Sequence, residues 1–404
     1  MTNVRPQTKI TWQKVKLGNV LEKVIDNRGK TPPLSNHGHE LIETFQMSIN
    51  SKYPNLTDKS KQKYVSEETY NTWFRSGHPK EGDILFSTVG ASIPQWCFVP
   101  KNSKYCIAQN LIALRPDRNK VIPEYLKSYF SQKKFVKEVK GIIIGAAQPS
   151  IKVPHLLSLE IVIPSPEEQK RIAAILSAFD DKIELNNKIS RTLEQMAQAI
   201  FKEWFINKSK FKNQNAKLSE LVKTQYGYTE SASEKEIGPK FLRVMDINKT
   251  DWVDWDSVPY CKIGDVEFPK YKLKKGDVVI ARMADPGKVA IIEEDIDAVF
   301  ASYLIRLQII SHDITSYFLF YYLRSRLYQD FIFGASTGTT RQSANAHVIT
   351  DVELTVPPKE KILEFENLAS TIRGKMLTNV KENQKLAALR DLLLPKLMSG
   401  EIRV

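Results

Sequence analysis

The sequence repeats itself once at a long period, and that duplication restricts the available folds more than any other feature. Gly145 aligns with Gly338, Ser150 with Ser343, Leu159 with Val352, Ile161 with Leu354 and Pro164 with Pro357, a constant offset of 193. Upstream, Glu81-Gly82-Asp83-Ile84-Leu85 matches Lys275-Gly276-Asp277-Val278-Val279 at an offset of 194, and Lys16-Leu17 matches Lys217-Leu218 at 201. Within each copy, β-branched and aromatic runs broken by Gly, Pro and Asn predict strands over 83–89, 95–99 and 278–283. Residues 123–139 and 315–331 read as helix.

Each copy closes in a long amphipathic helix. The first opens Ser165-Pro166-Glu167-Glu168, with Ser as N-cap, Pro at the first helical position and Glu168 placed to complete a capping box. Apolar residues then recur at Ile172, Leu176, Phe179, Ile183, Leu193, Ala197 and Ile200, a heptad seam interrupted by Asn186 and Ser190. At ~1.5 Å per residue, a helix of about 40 residues runs on the order of 60 Å. The second copy repeats the seam through Phe365, Ala369, Ile372, Met376, Asn379, Asn383, Leu386 and Leu393, and is expected to stop before Pro395. A long helix with one apolar stripe is unstable alone in water, so each helix is expected to pair with the other. Because a globular module lies between them, the simplest closed pairing is antiparallel. Asn186 and Asn379 coincide under the offset. Buried in the seam they would fix its register; the alternative places both at its edge in water. By the same logic, two copies of a fragment of about residues 1–206 could pair through the seam and read a palindrome.

The expected fold class is α+β: two similar β-rich α/β domains joined by two long antiparallel coiled-coil helices, with a pseudo-twofold internal repeat. The expected division is a first module at 1–164, a helix at 165–206, a second module at 207–357, a helix at 358–394, and a tail at 395–404 packing near the first module.

Composition narrows the chemistry. Lys plus Arg number 59 against 46 Asp plus Glu, a net charge of +13 that favours an anionic partner. No apolar run approaches the ~18 residues of a membrane span, and residues 1–10 lack the apolar core of a signal peptide, so no membrane partner and a cytoplasmic location are expected. Cys97, Cys106 and Cys261 show no CxxC spacing, which points to reduced thiols. Gly29-Lys30-Thr31 resembles the end of a P-loop, but Val24 stands where that motif needs Gly. His37-Gly38-His39 reads as a loop pair in solvent, and no metal site is expected. Neither Thr31-Pro32-Pro33-Leu34 nor Val356-Pro357-Pro358-Lys359 supplies the Asn/Asp-Pro-Pro-aromatic element of an aminomethyltransferase.

Taken with the duplicated layout, the run Ile163-Pro164-Ser165-Pro166-Glu167-Glu168-Gln169-Lys170-Arg171-Ile172, then Phe179-Asp180-Asp181-Lys182-Ile183, and the close Leu397-Met398-Ser399-Gly400-Glu401-Ile402, resemble the specificity subunit of type I DNA restriction-modification systems. The resemblance implies that each module is a target recognition domain reading one half of a bipartite site on double-stranded DNA. It implies that the helices hold the halves apart and dock methyltransferase (modification) subunits, two of them, with restriction/translocase subunits joining the complex. S-adenosylmethionine, ATP and Mg²⁺ would then sit on those partners, leaving this chain without catalytic residues, cofactor or metal. The second helix opens Pro357-Pro358-Lys359-Glu360-Lys361, without the Ser cap and Gln of the first, so unequal docking surfaces are expected.

Loops carrying Gly, Ser, Thr, Gln and Arg between strands are where backbone and side chains reach phosphates and base edges. In the first copy the candidates are Arg28, Lys30, Thr31, Ser87, Thr88, Ser92, Gln109, Asn110, Gln148 and Ser150. In the second they are Gln225, Tyr226, Tyr228, Arg282, Lys288, Ser302, Tyr303, Thr337, Thr339, Arg341, Gln342 and Ser343, with Arg282 and Arg341 best suited to guanine. Partner docking and spacing fall to Glu167, Lys170, Arg171, Ile172, Phe179, Ile183 and Asn186 on the first helix, and to Phe365, Ile372, Met376 and Asn379 on the second. Two other classes stay open: a self-sufficient DNA methyltransferase or endonuclease with degenerate motifs, and a coiled-coil protein that binds nucleic acid without sequence preference.

Overall fold

A computed structural model describes residues 12–49, 51–56, 61–145, 147–207, 214–248, 252–336 and 343–404. The chain forms two compact units, Met1–Asn186 with Lys381–Val404, and Asn187–Val380. Each therefore holds one module and part of each long helix, a division that crosses the helices where the sequence suggested boundaries at their ends.

Both modules are built on the same four-stranded antiparallel sheet. In the first unit the strand order is Leu21–Ile25, Leu111–Pro116, Ile84–Ser87, Trp96–Phe98; in the second it is Val222–Tyr226, Leu304–Ile309, Val278–Ala281, Val289–Ile291. The central strands are mostly buried, Ile84–Ser87 and Val278–Ala281 along their whole length, which is why these two read as largely apolar runs. Their side chains still alternate. Ile84, Phe86, Ile112 and Leu114 enter a core shared with the helices, while Leu85, Leu111 and Ala113 enter a second core on the opposite face. The second unit repeats this with Val278, Ile280, Ile305 and Leu307 against Val279, Ala281 and Leu304. A terminal strand pair closes each module: Gln13–Lys16 on Glu160–Ile163, and Gln214–Lys217 on Glu353–Val356, both antiparallel. The expected single helices of the modules are each two, Pro123–Phe130 with Lys133–Gly141, and Ser316–Arg324 with Arg326–Ala335. In the second unit the break is set by Ser325, whose extended backbone and side-chain oxygen cap the helix that follows.

The long helices span Pro166–Phe201 and Lys359–Ser399. Ser165 caps the first, accepting from the Glu168 N–H at 3.4 Å. Glu168 does not complete the expected box through Oε2, which is buried with no hydrogen-bond partner among the described residues. Gln169 instead anchors this end: it is 1 % exposed, accepts from Ile122 N–H at 2.9 Å and donates to the Pro164 carbonyl at 3.0 Å. A π-helical turn, Lys202–Asn207, continues the first helix and drops Phe205 against Phe201, Phe318 and Phe365.

Within each unit the two helices run antiparallel. In the first unit Ile172, Ala173 and Leu176 share a core with Leu394, Leu397 and Met398, and Asp180 meets Arg390 at 2.8 Å. In the second, Ala197 and Phe201 pack with Phe365, Ala369, Ile372 and Met376. The second helix passes through Pro395 instead of stopping before it. Proline removes a helical hydrogen bond and costs ~3 kcal/mol. Burying the side chains of Leu394, Leu397 and Met398 returns about 1.5–3 kcal/mol each, which outweighs that cost. The C-terminal turn then lies against Trp12 through Gly400.

The matched asparagines lie inside the seam, both 1 % exposed. Asn186 Nδ2 donates to Glu382 Oε2 at 2.8 Å and Asn383 Oδ1 at 2.9 Å, while Asn379 Nδ2 donates to Ser190 Oγ at 3.1 Å. Asn383 is the repeat counterpart of Ser190, so one polar rung is used twice.

Candidate nucleic-acid interface

The polar loops of each module converge on one backbone hub, and the hub is the same in both. In the first unit the Thr88 N–H donates to the Asn110 carbonyl and the Thr88 carbonyl accepts from Ile151 N–H, both at 2.8 Å; Val89 bridges Ser150. In the second, the Arg282 N–H donates to the Tyr303 carbonyl and its carbonyl accepts from Ala344 N–H, both at 2.9 Å; Met283 bridges Ser343. Each pair is related by the repeat offset. Loops far apart in sequence are thereby tied at the end of the central strand.

Burial sorts the candidates around the first hub. Lys30, Thr31, Ser92, Gln109 and Gln148 are exposed, and Gln109 Nε2 donates to Thr31 Oγ1. Asn110 and Ser150 are half-buried, Ser150 turning its hydroxyl to the Ile144 carbonyl at 3.4 Å. Ser87 and Thr88 are fully buried, a correction to their candidacy for DNA contact: Ser87 Oγ accepts from Gln95 N–H at 2.7 Å, and Thr88 Oγ1 donates to the Asn110 carbonyl at 3.2 Å. Arg28 is likewise held within its own loop, by a two-pronged contact to Asp26 at 2.8 and 2.7 Å. Burial alone would raise the Asp26 pKa, but hydrogen bonds and charge from Arg28 outweigh it and hold it below the ordinary carboxylate value.

Around the second hub, Tyr226, Lys288 and Tyr303 are exposed, and Ser302, Arg282 and Ser343 half-buried. Gln225 faces inward, donating to the Lys270 carbonyl at 2.9 Å and accepting from the buried Arg306. Tyr228 is half-buried with its hydroxyl 3.4 Å from Glu267 Oε2. Gly227 between them has no room for a side chain: a Cβ would lie 2.2 Å from the Ala301 carbonyl oxygen. Thr337, Thr339, Arg341 and Gln342 lie outside the described residues. His39 is not a solvent residue either; it stacks on Tyr70 with centroids 3.8 Å apart and its Nε2 sits 2.6 Å from Glu67.

On the helices, Glu167, Lys170 and Arg171 are exposed. Ile172, Asn186, Phe365, Ile372, Met376 and Asn379 are buried in the chain's own core or seam and offer no surface to a partner; Phe179 and Ile183 are half-buried. The heptad pattern missed the charged groups that lock helices to modules. Asp180 is held by Lys127 and Arg390, each at 2.8 Å. Arg373, 1 % exposed, reaches Glu293 at 2.7 and 2.6 Å and Glu194 at 3.0 Å, and Tyr321 donates to Glu194 at 3.0 Å. Glu194 follows Ser190 at helical spacing along the seam, a signal that would have found it.

Sequence comparison matches residues 9–195 and 210–386 to the family described as type I restriction modification DNA specificity domain. The chain belongs to this family. Specificity subunits similar to it include that of type I restriction enzyme MjaIX from Methanocaldococcus jannaschii, 28% identical over 312 residues covering 70% of each chain. That of HindI from Haemophilus influenzae is 26% identical over 440 residues, covering 89% of this chain and 95% of the relative. The fold matches a crystal structure of a type I restriction-modification S subunit from M. genitalium with a TM-score of 0.54 at 14% identity over 96% of both chains. The two matched segments are the two copies of the repeat, so each copy of this specificity subunit is one specificity domain. No helix among the described residues is long and apolar enough to cross a membrane.

Proposed function

We propose that this chain is the DNA-reading subunit of a type I restriction-modification assembly, each module reading one half of a bipartite site while the paired helices fix the gap. The observation that carries this is the duplicated hub. Two specificity domains present equivalent loops at equivalent positions, and half-site spacing on DNA follows from the spacing of the readers. The net charge of +13 suits a surface that tracks phosphates.

In this proposal the chain is non-catalytic and works in the cytoplasm. Methyl transfer and cleavage belong to methyltransferase subunits, two of them, and to restriction/translocase subunits, which carry S-adenosylmethionine, ATP and Mg²⁺. Adenine leaves the duplex to be methylated, so the mechanical task of the reader is to set partner active sites over defined bases. The exposed Glu167, Lys170 and Arg171 at the start of the first helix are the docking candidates. Selection of bound duplexes from a random library tests this: one bipartite sequence with a fixed gap is expected. A single affinity for every sequence, with a steep salt slope, would favour non-specific binding instead. Crosslinking of S-adenosylmethionine to the isolated chain would favour an enzyme.

A further inference from the structure

The two hubs share a backbone but not a chemistry. At the first hub the central residue is the buried Thr88, and the nearby Arg28 has its fork engaged by Asp26. At the second the central residue is Arg282, whose guanidinium has no hydrogen-bond or ion-pair partner among the described residues. Its Nε is buried with no hydrogen-bond partner among the described residues. The group is nevertheless held in place: its carbon lies 5.1 Å from the centroid of the Tyr226 ring, and Tyr226 is itself pinned by accepting the Ala346 N–H at 3.0 Å. The Arg282 backbone is clamped on both sides by Tyr303 and Ala344.

Resting on the DNA-reading role above, we propose that Arg282, oriented on Tyr226, recognises a guanine in the half-site of the second module, and that no guanidinium plays this part in the first. Guanine presents two adjacent acceptors, O6 and N7, in the major groove, which the planar fork of arginine meets with two parallel hydrogen bonds. A clamped, stacked, half-buried fork suits an edge of fixed direction. Long, exposed cations such as Lys288 and Lys30 suit phosphates better, since those contacts ask for charge without a fixed direction.

The test is selection from a random duplex library by the full chain in complex with its methyltransferase subunits, comparing the wild type with Arg282→Ala, Arg282→Gln and Arg326→Ala. The wild type is expected to demand guanine at one position of one half-site by roughly 5- to 150-fold over other bases. Arg282→Ala should lose that preference and leave the other half-site unchanged. Arg282→Gln should move it toward adenine, the base whose edge an amide matches. Arg326→Ala removes the same charge from a side chain 93% exposed in the same unit and should leave every base preference as it was. Uniformly weaker binding by both Arg282 variants with guanine still demanded would assign Arg282 to a phosphate and overturn the proposal, as would a change in both half-sites. Failure of the wild type to select any bipartite sequence would overturn the DNA-reading role itself.

Discussion

Removing the Arg373 guanidinium is the sharpest perturbation of the fold that positions the second reader. The group is 1 % exposed and joins three elements: Glu194 on the first long helix, its own helix, and Glu293 beyond the strand Val289–Ile291. Burial alone would lower its pKa, but the hydrogen bonds and charges of Glu293 and Glu194 outweigh this and raise it, so it stays charged at any accessible pH. In Arg373→Ala, Glu293 is left buried without its cation, while Glu194 keeps Arg324 at 3.2 Å and the Tyr321 hydroxyl. Deleting one partner of such a pair costs about 3–5 kcal/mol. For a cooperative unit of roughly 200 residues each kcal/mol shifts Tm by ~2–4 °C, so a fall of roughly 6–20 °C is expected in one of two calorimetric transitions. Adding Glu293→Gln to Arg373→Met should recover much of it, because the uncompensated charge is the main penalty. A shift under ~2 °C in Arg373→Ala would refute the assignment of a structural role to this group.

Other outcomes follow from the same contacts. Burial alone would raise the Asp180 pKa, but Lys127 and Arg390 outweigh it and hold it low. Its stabilisation is therefore complete above the unfolded value of ~3.9 and lost as pH falls through the folded value; Asp180→Asn should flatten the acid limb of a stability profile, and an unchanged limb would exclude it. Gln169→Ala strips buried hydrogen bonds from Ile122 and Pro164 and should destabilise the chain by about 1–3 kcal/mol in urea titration. The seam bears on the half-chain too: position 180 corresponds by offset to Arg373, which faces Glu194. Two copies of residues 1–206 in this register would set Asp180 against Glu194 with neither arginine present, so the fragment should sediment as a monomer at micromolar concentration. A tight symmetric dimer at neutral pH would show that apolar pairing dominates.

How much of this was legible in the sequence depends on whether the signal is local. The repeat, both long helices and the antiparallel pairing follow from offsets and heptads, and the strands Ile84–Ser87 and Val278–Ala281 from their apolar runs. Pro395 misled because its local penalty is overridden by Leu397 and Met398, whose burial depends on a module far away in sequence. The partners of the buried charges were invisible for the same reason: a heptad records which residues are polar, not that Lys127 or Glu293 will meet them. Loop composition located both hubs but gave no direction to side chains. Gln225 and Ser87 have the chemistry of readers, yet they serve as internal braces because Arg306 and the Gln95 N–H lie within their reach.

The most direct measurement is base-resolution methylation sequencing of a methylation-free bacterial host carrying this chain with its methyltransferase subunits. Adenine methylation is expected at one bipartite motif with a fixed gap, altered in one half only when one module is replaced. Methylation that is unchanged when this chain is exchanged for another specificity subunit would contradict the DNA-reading role.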